Sequence, residues 1–394
     1  MKKGLIIILI AFTAMLMVYG PAHAKVKGLC VDCHTMHNSE NNLPMAVTAD
    51  TGWSGGALSG DPQAEPNPHL TKASCIGCHT NSGSETIVTA ASGTGINRIP
   101  IVRNITEPVD PLAGGNFYYV DILGNNYGHN IMSEDEDNGG LSALGPGNDE
   151  YGEECAASCH YTLYNPERNG TAYTGCQGCH FETFHHKDPG AFDGGTFISG
   201  GTLQLRRTKG LDPTYRYLAG HHYWGEVSGG AVLTEPGVFV EGPGTTGGGI
   251  EDENWEQGIS LTATDGNIYK AFDFAPWVIN STNRSVSAFC AACHKIFHQQ
   301  QSSTFAGEVV WIRHPADQSM PTVGEYAGYT YNTEAPVAYT DTAAQTGPKV
   351  MCLSCHRPHG SPYENSLRWN YYTMEAGITN DSGCFRCHSE KDNP

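Results

Sequence analysis

The sequence predicts a mostly irregular fold, in which coil, short helices and a few short β hairpins surround something other than a conventional apolar core. The chain has 48 glycines and 22 prolines among 394 residues, and these residues break up regular elements. Only 39% of its residues are hydrophobic, which is below the globular average. Fourteen cysteines are spread along the chain in short motifs that also contain histidine. We therefore expect the groups bound by these motifs to supply much of the interior.

The N-terminal segment is typical of a secretory signal peptide. Two lysines precede an apolar run from Leu5 to Val18, and a small-x-small cleavage pattern ends at Ala24. An uncleaved anchor helix is the alternative, but the run is short for a membrane span and is followed by a Gly-Pro pair. The sequence thus predicts a signal peptide at 1–24 and one continuous domain at 25–394, exported from the cell.

The composition restricts the classes of partner. The formal net charge is −19, and no basic patch is visible, which argues against nucleic acid and anionic lipid. No other stretch approaches 18 apolar residues, so we expect no transmembrane segment in the mature chain.

Every cysteine belongs to a C-x-x-C-H unit or, at Cys155–His160, to a C-x-x-x-C-H unit. This spacing is typical of covalent haem attachment, because two thiols add across the vinyl groups of one haem and the next histidine binds its iron. The expected thioether cysteines are Cys30, Cys33, Cys75, Cys78, Cys155, Cys159, Cys176, Cys179, Cys290, Cys293, Cys352, Cys355, Cys384 and Cys387. The expected proximal iron ligands are His34, His79, His160, His180, His294, His356 and His388.

Redox disulfides, structural disulfides and zinc sites also use paired cysteines. None of them requires a histidine directly after the second cysteine seven times with no cysteine left over. The sequence therefore predicts seven haem c groups, with the longer third motif the least specific of the seven. Burying seven flat, apolar macrocycles replaces much of a side-chain core, so we expect the chain without haem not to fold.

The remaining histidines supply candidates for the second axial position of each iron. Three of them follow a proximal histidine by three or four residues, too close to reach round their own haem, which predicts haems packed together in a stacked chain. The expected distal ligands are His37, His129, His186, His222, His298, His314 and His359. The alternates are His185, His221 and His69. The methionines are interpreted as packing residues.

The motifs recur at irregular intervals, which is unlike a solenoid repeat. Asn116–Asn126 is predicted as a short strand and turn, and Gly242–Gly249 as loop. The acidic run Ser133–Asn138 is interpreted as a solvated loop rather than a calcium site. Short helices are expected to follow several of the motifs.

Several segments resemble, in the same order, the OmcS-like family of filament-forming outer-surface multihaem c-type cytochromes. They are CVDCHTMHNS, YGHNI at 127–131, TYRYLAG at 214–220, CAACHKIFH, RHPA, CLSCHRPH and the terminal CFRCH. The resemblance implies a coil-rich fold around a staggered haem chain, two histidines on every iron, and a homopolymer in which His37 ligates a haem of the neighbouring subunit. The family pattern has six haems, whereas this chain has seven motifs. The additional haem is assigned to the third and fourth motifs, because the interval between them is short.

Three functions follow from these features. The leading hypothesis is an extracellular electron-transfer cytochrome that polymerises into a conductive filament and exchanges electrons with other multihaem cytochromes or extracellular acceptors. The alternative is a monomeric carrier that is periplasmic or associated with the outer membrane. An oxyanion reductase is disfavoured because such an enzyme needs an iron with an open position, whereas histidines are plentiful here. The sequence therefore predicts an electron-transfer protein rather than an enzyme.

Overall fold

The computed structural model describes two long stretches, residues 29–131 without 41, 49, 66, 68–69 and 91–97, and residues 314–391 without 379–380. Between them it describes 176–180, 185, 197–199, 202–204, 216, 218, 240, 255–256, 267–272, 285–291, 294, 302–305 and 309–311.

The described helices are short. Six are α-helical: α1 Cys30–Cys33, α2 Cys75–Cys78, α3 Tyr118–Leu123, α4 Cys176–Cys179, α5 Val286–Ala291 and α6 Cys352–Cys355. Five are 3-10 helices: Asn125–Tyr127, Gly324–Gly328, Glu364–Ser366, Tyr371–Thr373 and Gly383–Arg386. Within the described residues, no helix has the length and apolar character needed to cross a membrane.

The strands have two to four residues each. They are β1 Gly52–Ser54, β2 Ala57–Ser59, β3 Thr80–Asn81, β4 Ile87–Thr89, β5 Arg98–Pro100, β6 Arg103–Asn104, β7 Phe197–Ser199, β8 Thr202–Gln204, β9 Tyr269–Lys270, β10 Ser302–Phe305, β11 Val309–Trp311, β12 Ala338–Asp341 and β13 Thr346–Lys349. The hairpins β4–β5, β7–β8 and β10–β11 stand alone, and two small sheets have the orders β2-β1-β3-β6 and β13-β12-β9. The predicted fold class, mostly coil with short helices and small hairpins, is confirmed.

Five of the six described α-helices contain cysteines of the motifs. Four of the six α-helices cover only the residues from the first to the second cysteine and end there. After α1 and α6 the next residue, His34 or His356, has extended backbone angles. The expectation of helices following the motifs is therefore wrong at the first, second and sixth motifs, where the single turn ends and extended chain follows.

The prediction of a strand at the start of Asn116–Asn126 is also wrong. Residues 118–123 form α3, whose first N–H, that of Tyr118, donates to the side-chain oxygen of Asn116 at 3.0 Å. Phe117 and Val120, three residues apart, are both buried, which is a helical spacing. Tertiary packing has overridden the strand preference of these aromatic and branched residues. The predicted turn is present as Asn125–Tyr127.

In the described part of the chain, the apolar interior is divided among three small clusters, each next to a cysteine motif. One contains Val286 and Leu353 and packs against Cys290, and a second contains Tyr331 and Tyr339 and packs against Cys387. The third is built on Trp53, whose indole N–H donates to the carbonyl of Cys78 at 2.6 Å. Small clusters at the motifs are what a chain organised around bound groups requires.

A buried polar network joins distant parts of the chain beside these clusters. The Arg368 guanidinium lies 3.8 Å from the Glu256 carboxylate, and both side chains are 1% exposed. Arg368 also donates to the carbonyls of Leu353, Thr333 and Ala113 at 2.6, 2.9 and 3.3 Å. Since a buried charge needs both a counter-charge and hydrogen bonds, this one arginine holds four segments together.

We expect Glu256→Gln to destabilise the protein by about 3–5 kcal/mol, because it leaves the Arg368 charge buried without a counter-charge. The measurement is the urea-unfolding midpoint of the purified holoprotein. The control is Asp121→Asn, which neutralises the partner of Arg103 in an ion pair of 2.8 Å whose side chains are 24% and 27% exposed. That change should cost less than about 1 kcal/mol. Equal midpoints for the two variants would contradict the importance of the buried pair.

Candidate haem-attachment sites

In the described motifs, the main chain closes into one turn from the first cysteine to the histidine. The histidine N–H donates to the carbonyl of the first cysteine over 2.8–3.1 Å in every case. The histidines concerned are His34, His79, His180, His294, His356 and His388. This turn places two thiols on one side of a short loop and fixes the direction of the following imidazole, as attachment of one macrocycle requires.

Most of the described motif cysteines are half-buried, and Cys30 and Cys75 are exposed. The described cysteines form no disulfide, and the described residues contain no group of three or more His, Cys, Asp or Glu side chains arranged to hold a metal ion. Burial raises the pKa of Cys78 and of Cys355 to about 12. These thiols are therefore protonated in the chain without haem, unlike the activated thiolates of redox motifs.

Three of the motif histidines are oriented by hydrogen bonds to the main chain. The Nδ1 atoms of His79, His180 and His356 lie 2.6, 2.9 and 2.8 Å from the carbonyls of Pro100, Arg216 and Asn365. A carbonyl only accepts, so each Nδ1 carries the proton and each Nε2 keeps a lone pair. This is the tautomer and the outer contact usual for a metal-ligating histidine.

Burial also keeps several imidazoles neutral. It lowers the pKa of His79 and of His180, although the hydrogen bonds to Pro100 and Arg216 oppose the shift. It lowers the pKa of His359 to about 3, with smaller contributions from three neighbouring histidines. Neutral imidazoles at pH 7 are the form that binds iron.

Four motif histidines each have a second histidine ring at nearly the same separation. The ring centroids of His79 and His185 are 6.2 Å apart, and those of His180 and His359 are 6.1 Å apart. The corresponding separations are 6.0 Å for His294 and His129 and 6.3 Å for His388 and His314. Each pair joins one motif histidine to one histidine outside the motifs, and no histidine is used twice.

This separation matches the geometry of two imidazoles on one iron. Two metal–nitrogen bonds of about 2 Å, plus about 1 Å from each nitrogen to its ring centre, place the two centroids about 6 Å apart. Aromatic rings in direct contact can have similar separations. The one-to-one pairing of motif with non-motif histidines is what favours axial ligation, and the residues fit haem c.

Close main-chain contacts position His359, the second histidine of the pair with His180. The carbonyl of Gly114 accepts from the N–H of His359 at 2.7 Å, and Gly115 and Gly360 form a β bridge beside it. Gly115 has φ +85, and a Cβ there would lie 2.0 Å from the carbonyl oxygen of Gly360. Only glycine allows this approach, which places His359 next to the segment that leads into α3.

The described part of the chain contains four of the seven expected distal ligands and one alternate. His129, His314 and His359 are members of the pairs, and so is the alternate His185 from the 185–186 doublet. His37 is described and exposed. The remaining site residues lie outside the described residues: Cys155, Cys159, His160, Cys293, His69, His186, His221, His222 and His298.

Successive motifs lie close enough to affect each other's ionisation. Burial is the main cause that raises the pKa of Cys78, and the charge of Cys33 is the next. Burial is also the main cause that raises the pKa of Cys176 to about 12, and the charge of Cys75 is the next. A hydrogen bond from Cys290 lowers the pKa of Cys352, and after burial Cys384 and Cys387 raise that of Cys355. The first, second and fourth motifs are therefore neighbours in space, and so are the fifth, sixth and seventh.

The groups that orient the imidazoles were not found by sequence reasoning. The carbonyls of Pro100, Arg216 and Asn365 carry no side-chain signal, and they lie 21, 36 and 9 residues from their histidines. Glu325 is a further such group, since its Oε1 lies 3.2 Å from Nδ1 of His388. No sequence motif marks this glutamate, because the contact joins residues 63 positions apart.

Comparisons with known proteins agree with this chemistry. Residues 344–393 match the family model "Doubled CXXCH motif", which covers the last two motifs. The chain is 24% identical to the C-type cytochrome OmcS of Geobacter sulfurreducens over 440 aligned residues, covering 97% of this chain and 89% of that protein. These findings support haem c as the bound group.

Two solved structures are also similar to the chain. One is the outer membrane cytochrome S filament from Geobacter sulfurreducens, with 16% identity, a TM-score of 0.39, and coverage of 94% of this chain and 93% of that one. The other is the OmcS nanowire from the same organism, with 17% identity, a TM-score of 0.43, and coverage of 94% and 92%.

We expect His359→Ala to convert one haem from low spin to high spin, because it removes one of two imidazoles from a single iron. Electron paramagnetic resonance of the oxidised holoprotein measures the change. The control is Phe117→Leu, which disturbs the aromatic ring 4.8 Å from His359 but keeps the imidazole. A fully low-spin His359→Ala spectrum, or an equal high-spin signal in the control, would contradict the pairing of His359 with His180.

Proposed function

We propose that this protein is an exported electron-transfer cytochrome that carries seven haem c groups, one on each cysteine motif, and that it is a carrier rather than an enzyme. The observation that carries the proposal is the set of four histidine pairs with centroids 6.0–6.3 Å apart, each joining a motif histidine to another histidine. The match to the doubled CXXCH model and the similarity to a curated C-type cytochrome support it.

The proposed ligands follow from the pairs. His79 and His185, His180 and His359, His294 and His129, and His388 and His314 would each hold one iron from both sides. The two cysteines of each motif would hold the macrocycle by thioethers. The same arrangement is proposed for the motifs of His34, His160 and His356, whose second ligands come from the remaining candidates His37, His69, His186, His221, His222 and His298.

Ligation from both sides determines the chemistry that is available. Haem iron supplies a one-electron couple when bound. Two imidazoles per iron leave no coordination position for a substrate, so the residues favour electron exchange over bond-forming chemistry. The closeness of successive motifs would allow electrons to pass between neighbouring sites. The protein orients each group, excludes water from it and adjusts its potential.

We propose that copies of the chain polymerise through the end that carries the first motif. His37 is exposed there, and so are several large apolar side chains of the same part of the chain. Leu29, Val31, Met36, Leu43 and Leu70 are 50%, 46%, 79%, 64% and 41% exposed. A second copy of the chain would bury these side chains and bring one of its haem irons to His37.

Such a filament would act outside the cell, at its surface. Export rests on the predicted signal peptide at 1–24, and 25–394 would form one continuous haem-bearing domain. The proposed electron partners are other multihaem cytochromes or extracellular acceptors. If the protein stays monomeric, the same haem series would serve a periplasmic or membrane-associated carrier.

We expect His37→Ala to abolish filaments and to leave one iron per subunit without its second imidazole. Electron microscopy of the secreted protein measures assembly, and the high-spin signal measures ligand loss. The control is Ile122→Ala, which trims an exposed apolar side chain that is not among those proposed to be buried and keeps His37, so filaments should persist. Wild-type monomers, or His37→Ala filaments with an unchanged low-spin spectrum, would contradict the polymer proposal.

A further inference from the structure

We propose that Glu325 sets the reduction potential of the haem site on the last motif, Cys384–His388, by accepting a hydrogen bond from His388. A carboxylate in this position holds the potential of that site below the value that a neutral acceptor would give. The inference deepens the proposed function and rests on it, because it requires a haem on Cys384 and Cys387. Glu325 would act through the imidazole, so it is a positioning residue.

The hydrogen-bond partner of His388 differs in charge from those of the other oriented motif histidines. Nδ1 of His388 lies 3.2 Å from Oε1 of Glu325 and 3.3 Å from the hydroxyl of Tyr326. A carboxylate only accepts, so Nδ1 carries the proton and Nε2 is left for the iron. In the three sites with main-chain acceptors, at His79, His180 and His356, the corresponding partner is a neutral carbonyl.

The carboxylate is fixed and charged. Its side chain is only 9% exposed, and it lies in the 3-10 helix Gly324–Gly328. Oε2 accepts from the N–H of Glu390 at 3.3 Å, and the Lys391 ammonium lies 3.6 Å from Oε1. Two N–H donors and an ammonium group therefore surround this carboxylate, and an ordinary glutamate is already ionised at neutral pH.

The effect on potential follows from the charge of the iron. Pulling the Nδ1 proton toward a carboxylate makes the imidazole a more basic ligand. A more basic ligand stabilises the ferric form more than the ferrous form, because the ferric ion carries one more positive charge. The potential of the one-electron couple is therefore lowered at this site.

The position of the last motif determines the direction in which the lower potential would drive an electron. The last motif adjoins the sixth, since Cys384 and Cys387 both act on Cys355. A low potential at the last site would make an electron that arrives there leave for the sixth site. Glu325 would thus favour electron flow from the last site to the sixth.

The test is a redox titration of full-length holoprotein with Glu325→Gln, followed by electron paramagnetic resonance. The signal of the last site should be distinct, because the ring planes of His314 and His388 are 82° apart whereas the other three pairs have 28–49°. Ligand-plane angle governs the anisotropy of a low-spin ferric signal. We expect the midpoint of this one signal to move to a more positive potential while the other midpoints stay in place.

The matched control is Glu334→Gln. Glu334 accepts from the N–H of Gly383 at 2.8 Å and from Nε of Arg386 at 2.7 Å, so it is a carboxylate beside the same motif that holds no imidazole. We expect it to shift the same midpoint less than Glu325→Gln does. An equal shift would assign the effect to net charge and overturn the proposal, as would an unmoved midpoint in Glu325→Gln.

A second variant keeps the proposal testable if Glu325→Gln does not accumulate. Glu325→Asp keeps the negative charge, but its side chain is shorter by one methylene, so the carboxylate lies farther from His388. We expect a smaller positive shift of the midpoint potential. An unchanged midpoint in this variant would also overturn the proposal. The intact mass of the protein distinguishes a failure of this proposal from a failure of the proposed function. A wild-type chain without haem on the last motif would contradict the proposed function. A chain that carries this haem, but whose midpoint potential does not change in Glu325→Gln, would contradict only the role of Glu325.

Discussion

The single turn that joins the first cysteine of a motif to its histidine is the constraint on which the described structure depends. One hydrogen bond, from the histidine N–H to the cysteine carbonyl, recurs in all six described motifs. It makes the helices as short as the motif and leaves little room for longer elements nearby. A strand of only two residues follows the second motif, and Pro100 of β5 supplies the carbonyl that orients its imidazole. In the second motif, His79 is followed at once by β3, and its carbonyl accepts from Val102 and Arg103 beside β6.

The interior follows from the same constraint. Apolar clusters of a few residues lie against individual motifs, at Cys290, Cys387 and Trp53–Cys78, and no single cluster serves the whole of the described chain. The Glu256–Arg368 network connects segments that the clusters leave separate. A chain built in this way depends on buried polar contacts and on bound groups where a typical domain depends on one apolar core. This is the physical reason that so much glycine and proline is compatible with an ordered fold.

The sequence predicted the coil-rich fold class and the motif residues because both follow from local patterns. Three of the paired histidines, His129, His314 and His359, were also expected as distal ligands, and His185 was an alternate. The partner of each histidine was not predictable, because His180 and His359 meet only through the close approach of Gly115 and Gly360. Main-chain acceptors such as Pro100 leave no trace in side-chain patterns. The strand prediction at Asn116–Asn126 failed for a related reason: packing of Phe117 and Val120, and the capping contact of Asn116, decide that segment.

The pairing of histidines from distant parts of the chain has a consequence for biogenesis. If the proposed pairs ligate iron, the fourth motif would need His359, which is synthesised long after it, whereas the fifth motif would need His129, which precedes it. Maturation could then not proceed strictly from the N-terminus to the C-terminus, even if each haem were attached as soon as its own cysteines emerged. The fourth site would have only one of its two imidazoles until the last quarter of the polypeptide was present. A premature stop near the C-terminus would thus damage sites in the middle of the protein as well as those it removes.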